Sequence, residues 1–212
     1  MVVGAGPGLG LATARRFAAA GFPIGLVARS SDSLNELSQS LAASNVTVAT
    51  AAADVTNNAA LTDALVGLSA RLGGIDTVLF SPRPSMDLIK PVLDTTPEDM
   101  SSALELSVTA AVTVARVVVP DMLSRASGGL LFTTGGAAVD PHRDRAASAV
   151  AYAAESAYVR LLHDQLAPAG VHVSQVTIVG PIGPGLKHEP DQVADLLWRS
   201  RHARSESLTV LR

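Results

Sequence analysis

The chain opens on a short apolar run that leads directly into a cluster of glycines, and this arrangement constrains the fold more than any other feature. The opening reads Met1-Val2-Val3-Gly4-Ala5-Gly6-Pro7-Gly8-Leu9-Gly10, and a helix-like amphipathic segment follows over residues 9–20. Glycine lets the backbone turn tightly and lets a ligand approach its N–H groups without a Cβ in the way. The start of the next helix adds free N–H donors and the positive end of a dipole. A strand, a glycine turn and a helix start in this order are typical of a phosphate site.

The glycine spacing reads best as G-x-x-x-G-x-G on Gly4, Gly8 and Gly10, with Gly6 inside the turn. The common dinucleotide fingerprint is G-x-G-x-x-G, followed by an acidic residue about 20 positions later. We therefore expect the pyrophosphate of a dinucleotide to lie against the backbone of Gly4, Gly6, Gly8, Leu9 and Gly10. A glycine-rich turn without a ligand is the alternative, because a glycine cluster alone is a weak signal.

Short apolar runs alternate with helix-patterned segments along the whole chain. The predicted strands are residues 1–3, 24–28, 46–52, 77–80, 130–133, 172–178 and 208–211. The predicted helices are residues 9–20, 33–43, 57–72, 97–119, 147–166 and 190–201, with Gly128-Gly129 among the glycines expected at helix ends. This alternation predicts an α/β fold, a three-layer, Rossmann-like, doubly wound parallel sheet of about seven strands. Ligands then bind beyond the carboxyl ends of the strands.

The composition excludes several classes of protein. A length of 212 residues predicts one domain over residues 1–212, and 48% hydrophobic but only 3% aromatic residues indicate a core of Ala, Val and Leu. Without cysteine, disulfides and thiolate metal sites are excluded, and we expect no metal. A net charge of −3 without a basic patch argues against nucleic acid. Since we find neither a signal peptide nor an unbroken apolar run of about 18 residues, we expect no membrane span and a cytoplasmic location.

The second predicted strand ends in Ala28-Arg29-Ser30. A site for NAD usually places a carboxylate here, for the 2′-hydroxyl of the ribose. A guanidinium beside a hydroxyl suits a 2′-phosphate instead, so Arg29 and Ser30 favour NADP(H) over NAD(H). The alternative is an ordinary solvated arginine at a strand end.

The next two strands also end in polar residues. Asp54 follows the third strand and could accept a hydrogen bond from the adenine amino group, with Val55 against the ring; the alternative is a helix cap by Asp54 or Thr56. The fourth strand leads into Ser81 and then Arg83, between two prolines. Arg83 could reach a substrate carboxylate or a cofactor phosphate, or it could simply face solvent.

These features together resemble the short-chain dehydrogenase/reductase family. The resemblance covers nearly the whole chain and is carried by the glycine turn, Asp54-Val55, Ile75-Asp76 before the fourth strand, Gly128-Gly129 before the fifth, and the run from Leu166 to Val173. It implies a Rossmann-like domain, a nicotinamide cofactor, and dimers or tetramers built on helices. It also sets Phe80-Ser81-Pro82-Arg83 where the family has Asn-Asn-Ala-Gly, so we expect Ser81 at the cofactor.

The family's chemistry uses an Asn, a Ser, a Tyr and a Lys, and this sequence departs from that set. Tyr152 resembles the tyrosine, but Ser156 then stands where the lysine is required. Counting back from Leu166-Ala167-Pro168 instead puts Ser148 at the tyrosine position and Tyr152 at the lysine position. We prefer this second register, because a continuous helix does not accommodate a four-residue slip relative to the sheet. Positions 148, 152 and 156 share one helix face in either case.

Neither register restores the remaining catalytic groups. The serine position holds Gly135 or Gly136, and the asparagine position holds Ser107. Without a neighbouring ammonium, the pKa of Tyr152 is expected to stay near about 10. We take Tyr152 and Ser148 as the candidate catalytic residues, with Thr134 and His142 as other possible proton donors.

Two functions are compatible with this sequence. One is an NADP(H)-dependent oxidoreductase that acts on a small carbonyl or alcohol substrate through a rearranged active site. The other is an NADP-binding protein without redox chemistry: a sensor, an isomerase or a cyclase. In both cases the small apolar faces of the helices at 97–119 and 147–166 predict a homodimer or homotetramer.

Overall fold

The computed structural model describes residues 1–203 and 206–212, and in them seven strands form one parallel sheet. The strands are β1 (Val2–Val3), β2 (Ile24–Ala28), β3 (Val48–Ala52), β4 (Thr77–Phe80), β5 (Gly128–Gly135), β6 (Val171–Ile178) and β7 (Leu208–Leu211). Their spatial order is β3-β2-β1-β4-β5-β6-β7, with every neighbouring pair parallel. The predicted doubly wound sheet is thereby confirmed.

Helices connect the strands and cover both faces of the sheet. They are α1 (Leu9–Ala18), α2 (Ser31–Ser40), α3 (Asn58–Leu72), α4 (Pro97–Leu104), α5 (Ala110–Ser124), α6 (Ala146–Leu166) and α7 (Pro190–Ala203). A π-helical segment, Glu105–Thr109, joins α4 to α5 without a break.

The hydrophobic core lies in two layers, one on each face of the sheet. Consecutive strand residues point to opposite faces, so Leu130 and Phe132 belong to the layer under α3, α5 and α6. Leu131 between them belongs to the layer under α1, α2 and α7. Both layers consist mainly of Ala, Val and Leu, as the composition predicts.

The chain reverses its direction of travel across the sheet between β1 and β4. The strands β1, β2 and β3 progress outward to one side, and β4 then returns to pair with the other edge of β1. At such a switch point the two connections leave in opposite directions and open a crevice at the carboxyl ends of the strands. The glycine turn lies at this crevice because it follows β1 directly.

Several boundaries differ from those that the sequence predicts, and the structure explains two of them. Gly128-Gly129 begins β5 rather than ending a helix. Both positions need glycine, because a Cβ would collide with Met122 at the first and with Arg201 at the second. The long helix continues through Pro120 to Ser124. Pro120 is exposed, so solvent can hydrogen-bond to the carbonyl that the proline nitrogen leaves free.

One described helix, Pro97–Ser124, is long and apolar enough by length and composition to cross a membrane. Core helices of globular domains meet the same criterion. Here Ala110, Val114 and Val118 are buried in the core layer beneath the helix, which makes it a packed helix of the α/β fold.

Because α7 lies close to β5, adding one methyl group at Gly129 should strongly lower the free energy of unfolding. In Gly129→Ala the new Cβ would collide with the Arg201 side chain, whose Nε and Nη2 are held by Thr77 and Asp76. Overpacking of this kind costs about 1–3 kcal/mol. Urea unfolding should therefore show Gly129→Ala to be less stable than the wild type by that amount.

Gly67→Ala is the matched control, because Gly67 lies inside α3 with open space at its Cβ position. Removing a glycine from a helix interior stabilises by about 0.5–1 kcal/mol. Equal stability of the two variants would contradict the proposed contact.

Candidate active site

A cleft of about 620 Å³ lies at the carboxyl ends of the central strands. The glycine turn forms one wall, and the loop after β4, residues 81–89, forms part of the mouth. The ends of β5 and β6 contribute Thr134 and Ile178 to the lining, and Tyr152 on α6 also lines the cleft. A volume of this size is typical of small-molecule sites.

The glycine turn packs backbone against backbone on the loop that follows β4. Gly4 has a φ of +84°, and a Cβ there would stand 2.6 Å from the Pro82 Cα and 2.7 Å from the Ser81 carbonyl oxygen. The N–H groups of Gly4 and Ala5 both donate to the Val27 carbonyl, at 3.0 and 2.9 Å. The turn is thus fixed between the strands on either side of β1.

The beginning of α1 leaves backbone donors free. Gly8 occupies the N-cap position without a side chain to cap the helix. Within the described residues, the N–H groups of Leu9 and Gly10 have no acceptor, and the Cβ positions of Gly6 and Gly8 are open. Free amides at a helix N-terminus, unobstructed by Cβ atoms, fit the pyrophosphate of a dinucleotide.

Arg29 and Ser30 follow β2 at the same edge of the sheet. The Ser30 hydroxyl caps α2, since its Oγ accepts a hydrogen bond from the Ser33 N–H at 3.2 Å. Arg29 is exposed and makes no hydrogen bond or ion pair with the rest of the described chain. Their assignment to a 2′-phosphate stays a prediction.

The Asp54 side chain forms hydrogen bonds within its own loop. Its Oδ1 accepts hydrogen bonds from the Thr56 N–H at 3.0 Å and the Thr56 hydroxyl at 2.8 Å. The bond from the Thr56 N–H is the main reason that the pKa of Asp54 is lowered, and the Arg29 charge contributes less. The cap of α3 is Asn57, whose Oδ1 accepts from the Ala60 N–H at 3.1 Å, while Val55 is buried in the core. The adenine contact of Asp54 and Val55 stays a prediction.

Ser81 lies where the cleft meets the end of β4. Its Oγ accepts a hydrogen bond of 2.6 Å from the Thr133 hydroxyl on β5, and both residues line the cleft. This bond holds the start of the loop after β4 against the neighbouring strand.

Tyr152 is the candidate catalytic residue that the fold brings into the cleft. Its ring packs over the end of β5, where a Cβ on Gly135 would lie 3.3 Å from the Tyr152 Cε2. Ser148, one turn earlier on α6, is buried and does not line the cleft. His142 lies in an exposed loop outside the cleft and contacts Asp144. The roles of Tyr152 and Ser148 in catalysis stay predictions.

Behind Tyr152 lies a buried polar network that the sequence patterns did not predict. The Gln175 Nε2 on β6 lies 2.8 Å from the Thr134 Oγ1, 2.8 Å from the Ser156 Oγ and 3.1 Å from the Thr177 Oγ1. Ser156 in turn donates to the Tyr152 carbonyl at 2.8 Å. The signal for this network is an amide side chain in the middle of a strand whose eight residues are all buried.

The Tyr152 phenol is a weaker acid than the sequence predicts. Burial raises the pKa of Tyr152 to about 12, the negative charge of Glu155 acts in the same direction, and the Arg145 charge opposes them. The expected value near about 10 is therefore wrong, because it considers the missing ammonium but not the loss of solvent. At neutral pH the phenol keeps its proton.

A second buried acid, also missed from the sequence, lies on α6. Glu155 is 2% exposed, and its Oε1 has no hydrogen-bond partner among the described residues. Burial raises its pKa well above the ordinary value.

Ser107, on the preceding helix, is likewise buried and lies in the π-helical segment. Such segments occur frequently at functional sites.

The buried Glu155 carboxyl should make the free energy of unfolding depend on pH. The folded state retains the proton on this carboxyl above pH 4.5, where a glutamate of the unfolded chain ionises. Stability therefore falls as pH rises, by up to about 1.4 kcal/mol per pH unit, until the folded carboxyl also ionises. Glu155→Gln removes this loss, so urea unfolding should show the variant gaining stability over the wild type between pH 5 and pH 8.

Glu36→Gln is the control, because Glu36 is exposed on α2. Its stability difference from the wild type should stay constant over the same pH range. A constant difference for Glu155→Gln as well would show that this carboxyl is solvated.

Comparison with known proteins agrees with this geometry. The model of the short chain dehydrogenase family matches residues 1–189. An uncharacterized oxidoreductase of Staphylococcus epidermidis is 27% identical over 190 residues, which cover 90% of this chain and 78% of the relative. The 1-deoxy-11-beta-hydroxypentalenate dehydrogenase of Streptomyces exfoliatus is 28% identical over 214 residues, covering 94% and 78% of the two chains.

Solved structures with the same fold include two that carry a nicotinamide cofactor. L-sorbose reductase from Gluconobacter frateurii, complexed with NADPH and L-sorbose, has a TM-score of 0.88 and 22% identity over 99% of this chain and 93% of its own. A NAD+-bound xylitol dehydrogenase has a TM-score of 0.80 and 27% identity over 87% and 70% of the two chains. With its parallel sheet, its glycine turn and a family match over most of its length, the chain belongs to the short-chain dehydrogenase/reductase family.

Proposed function

We propose that this chain is an NADP(H)-dependent oxidoreductase that reduces a small carbonyl compound, with Tyr152 as the proton donor. The observation that carries the proposal is that Tyr152 lines the same cleft as a helix start with free backbone amides. Family membership supports an oxidoreductase. The sorbose reductase, which has the same fold, was solved with NADPH.

The glycine turn is the part of the cleft that would hold the cofactor. The Leu9 and Gly10 amides would donate to the pyrophosphate, and Gly6 and Gly8 would let it approach. Arg29 would bind the 2′-phosphate, since its guanidinium is unpaired within the described residues. When bound, the cofactor supplies the hydride that adds to the carbonyl carbon of the substrate.

The proton in this reaction comes from the Tyr152 Oη. As the carbonyl carbon gains the hydride, its oxygen gains negative charge, and the phenol donates its proton to that oxygen to give the alcohol. An alkoxide is a stronger base than a phenolate, so this transfer is favourable even from a phenol with a pKa of about 12. The reverse reaction needs the phenolate, which burial disfavours at neutral pH, so oxidation of the alcohol should require a higher pH than reduction does.

Replacing the phenol tests this role. Tyr152→Phe keeps the ring over Gly135 but removes the proton donor, so the rate of ketone or aldehyde reduction should fall by about 10²–10⁴-fold. The affinity for NADPH, measured by fluorescence titration, should stay within about twofold, because the ring itself is kept.

Tyr158→Phe is the matched control. Tyr158 is the other tyrosine of the chain, lies on the same helix, and packs against the core rather than lining the cleft. It should keep wild-type activity. Equal losses in the two variants, or full activity of Tyr152→Phe, would rule out Tyr152 as the donor.

Replacing Arg29 separately tests the preference for NADPH over NADH. A charge-assisted contact with the 2′-phosphate contributes about 1.5–3 kcal/mol, so Arg29→Gln should weaken NADPH binding by about 10- to 100-fold. Binding of NADH, which lacks this phosphate, should not change. Arg15→Gln, an exposed substitution on the last turn of α1, serves as the control for loss of charge. Similar weakening for both nucleotides would contradict the assignment.

An NADP-binding protein without redox turnover is the alternative, and the missing ammonium is the observation behind it. Among the described residues, the charge that lowers the pKa of the Tyr152 phenol is the Arg145 guanidinium, the end of β5 offers glycines, and Ser156 bonds to Gln175 and the Tyr152 carbonyl. Tight NADPH binding together with no consumption over ketones, aldehydes and quinones would select this alternative.

Assembly into a homodimer or homotetramer is part of the proposal. The helices α5 and α6 expose Leu123, Val150 and Leu161 beside small alanine and valine side chains. These apolar surfaces offer a helical interface between copies of the chain.

A further inference from the structure

The charged side chains that line the cleft are all of one sign. Arg83, on the loop after β4, and Arg145, at the start of α6, both line it. Its lining contains no aspartate or glutamate within the described part of the chain. In that same part, neither guanidinium forms an ion pair or a side-chain hydrogen bond.

Several charged groups near the cleft, by contrast, are paired. Lys90 binds Asp99, with its Nζ 2.8 Å from the Oδ1. Asp144, adjacent to Arg145 in the sequence, instead contacts the His142 Nδ1 at 3.4 Å and the Arg143 Nε at 3.9 Å.

The acid nearest to Arg83 along its loop is also engaged. The Asp87 Oδ2 accepts a hydrogen bond of 3.0 Å from the Ser85 hydroxyl, and Asp87 does not line the cleft. Among the residues that line the cleft, Arg83 and Arg145 are therefore the cations, and neither has a counter-ion in the described part of the chain.

Backbone hydrogen bonds connect the segments that carry the two arginines. The Val92 N–H donates to the Arg143 carbonyl at 2.8 Å, and the Ala146 N–H lies 3.4 Å from the Lys90 carbonyl. The segment 140–146 is thereby attached to the continuation of the loop after β4. The positions of Arg83 and Arg145 are coupled at the mouth of the cleft.

The two arginines belong to different segments of the cleft lining. Arg83 directly follows Pro82, whose backbone contacts Gly4, so it stands on the side of the proposed pyrophosphate. Arg145 precedes Tyr152 by seven residues, about 10 Å along the axis of α6. A group bound by Arg145 would thus lie on the side of the proton donor, several bonds from the carbonyl that Tyr152 protonates.

Apolar side chains fill the space around these charges. Pro84, Met86 and Ile89 come from the loop after β4, and Ile178 and Ile182 come from the end of β6 and the segment beyond it. Met86 is 66% exposed at the mouth, where it is available to cover a ligand. An apolar body fits this lining better than a polyol does, because it would leave no hydroxyl without a partner.

We propose that the substrate of this cleft is an anionic carbonyl compound with an apolar body, and that Arg145 binds its carboxylate or phosphate group. This inference rests on the proposed function, because it concerns the substrate of the same site. A guanidinium binds either anion through two parallel hydrogen bonds, so the position of Arg145 would decide both specificity and orientation.

Matched ligands test the proposal on the cofactor-loaded protein. The probes are aliphatic ketones of five to ten carbons that end in a carboxylate, in the neutral carboxamide, or in a phosphate monoester. Calorimetric titration should show at least one anionic series binding about tenfold or more tightly than its carboxamide. Whichever anion binds more tightly identifies the source of the charge.

Variants assign this preference to one side chain. Arg145→Gln should abolish the difference between acid and amide while leaving the affinity for NADPH unchanged, and Arg145→Lys should keep part of it. Arg143→Gln is the control, since Arg143 lies outside the cleft and its guanidinium pairs with Asp144. This variant should retain the full preference.

The outcomes separate this inference from the proposed function. Equal binding of acid and amide, or an Arg145→Gln variant that keeps the preference, overturns the inference even if carbonyl reduction proceeds. Selective binding of the acid without any reduction supports the anion site and rejects the reductase.

Discussion

The contact between the backbone of Gly4 and that of Ser81 and Pro82 sets the geometry of the cleft. It occurs because β1 and β4 are neighbours across the point where the sheet changes direction, so that their carboxyl ends lie side by side. A side chain at Gly4 would occupy the position of the Pro82 backbone. The glycine turn, the free amides of α1 and the loop that carries Arg83 therefore keep their places only while this position has no Cβ.

The wall of the cleft around Tyr152 combines an aromatic ring, glycines and a buried polar network. A tyrosine ring packs over a glycine at the end of β5, and a serine on the next turn of α6 bonds to the buried amide of Gln175. The cationic group acting on the phenol is a guanidinium at the start of the helix, and its effect on the phenol is smaller than that of burial. These residues support a proton donor more readily than a general base.

Sequence patterns predicted the doubly wound parallel sheet and most of the helices, because short apolar runs alternate with segments that repeat apolar residues at the helical period. They predicted the start of β5 and the end of α5 less well. The first depends on the contact of Gly129 with Arg201, and the second on the exposure of Pro120 to solvent. The glycine turn could be predicted from local residues. The unpaired state of Arg145 and the burial of Glu155 depend on which segments, distant in the sequence, pack around them. No local sequence pattern encodes such contacts.

The amide of Gln175 has a mechanical consequence for the cleft. Its nitrogen lies within hydrogen-bond distance of hydroxyls from β5, β6 and α6, and its two hydrogens can serve two of them at a time. Sliding these elements past one another would break buried hydrogen bonds. The wall that carries Tyr152 should consequently resist deformation, so the cleft would adjust to a bound molecule through exposed side chains at its mouth, such as Met86.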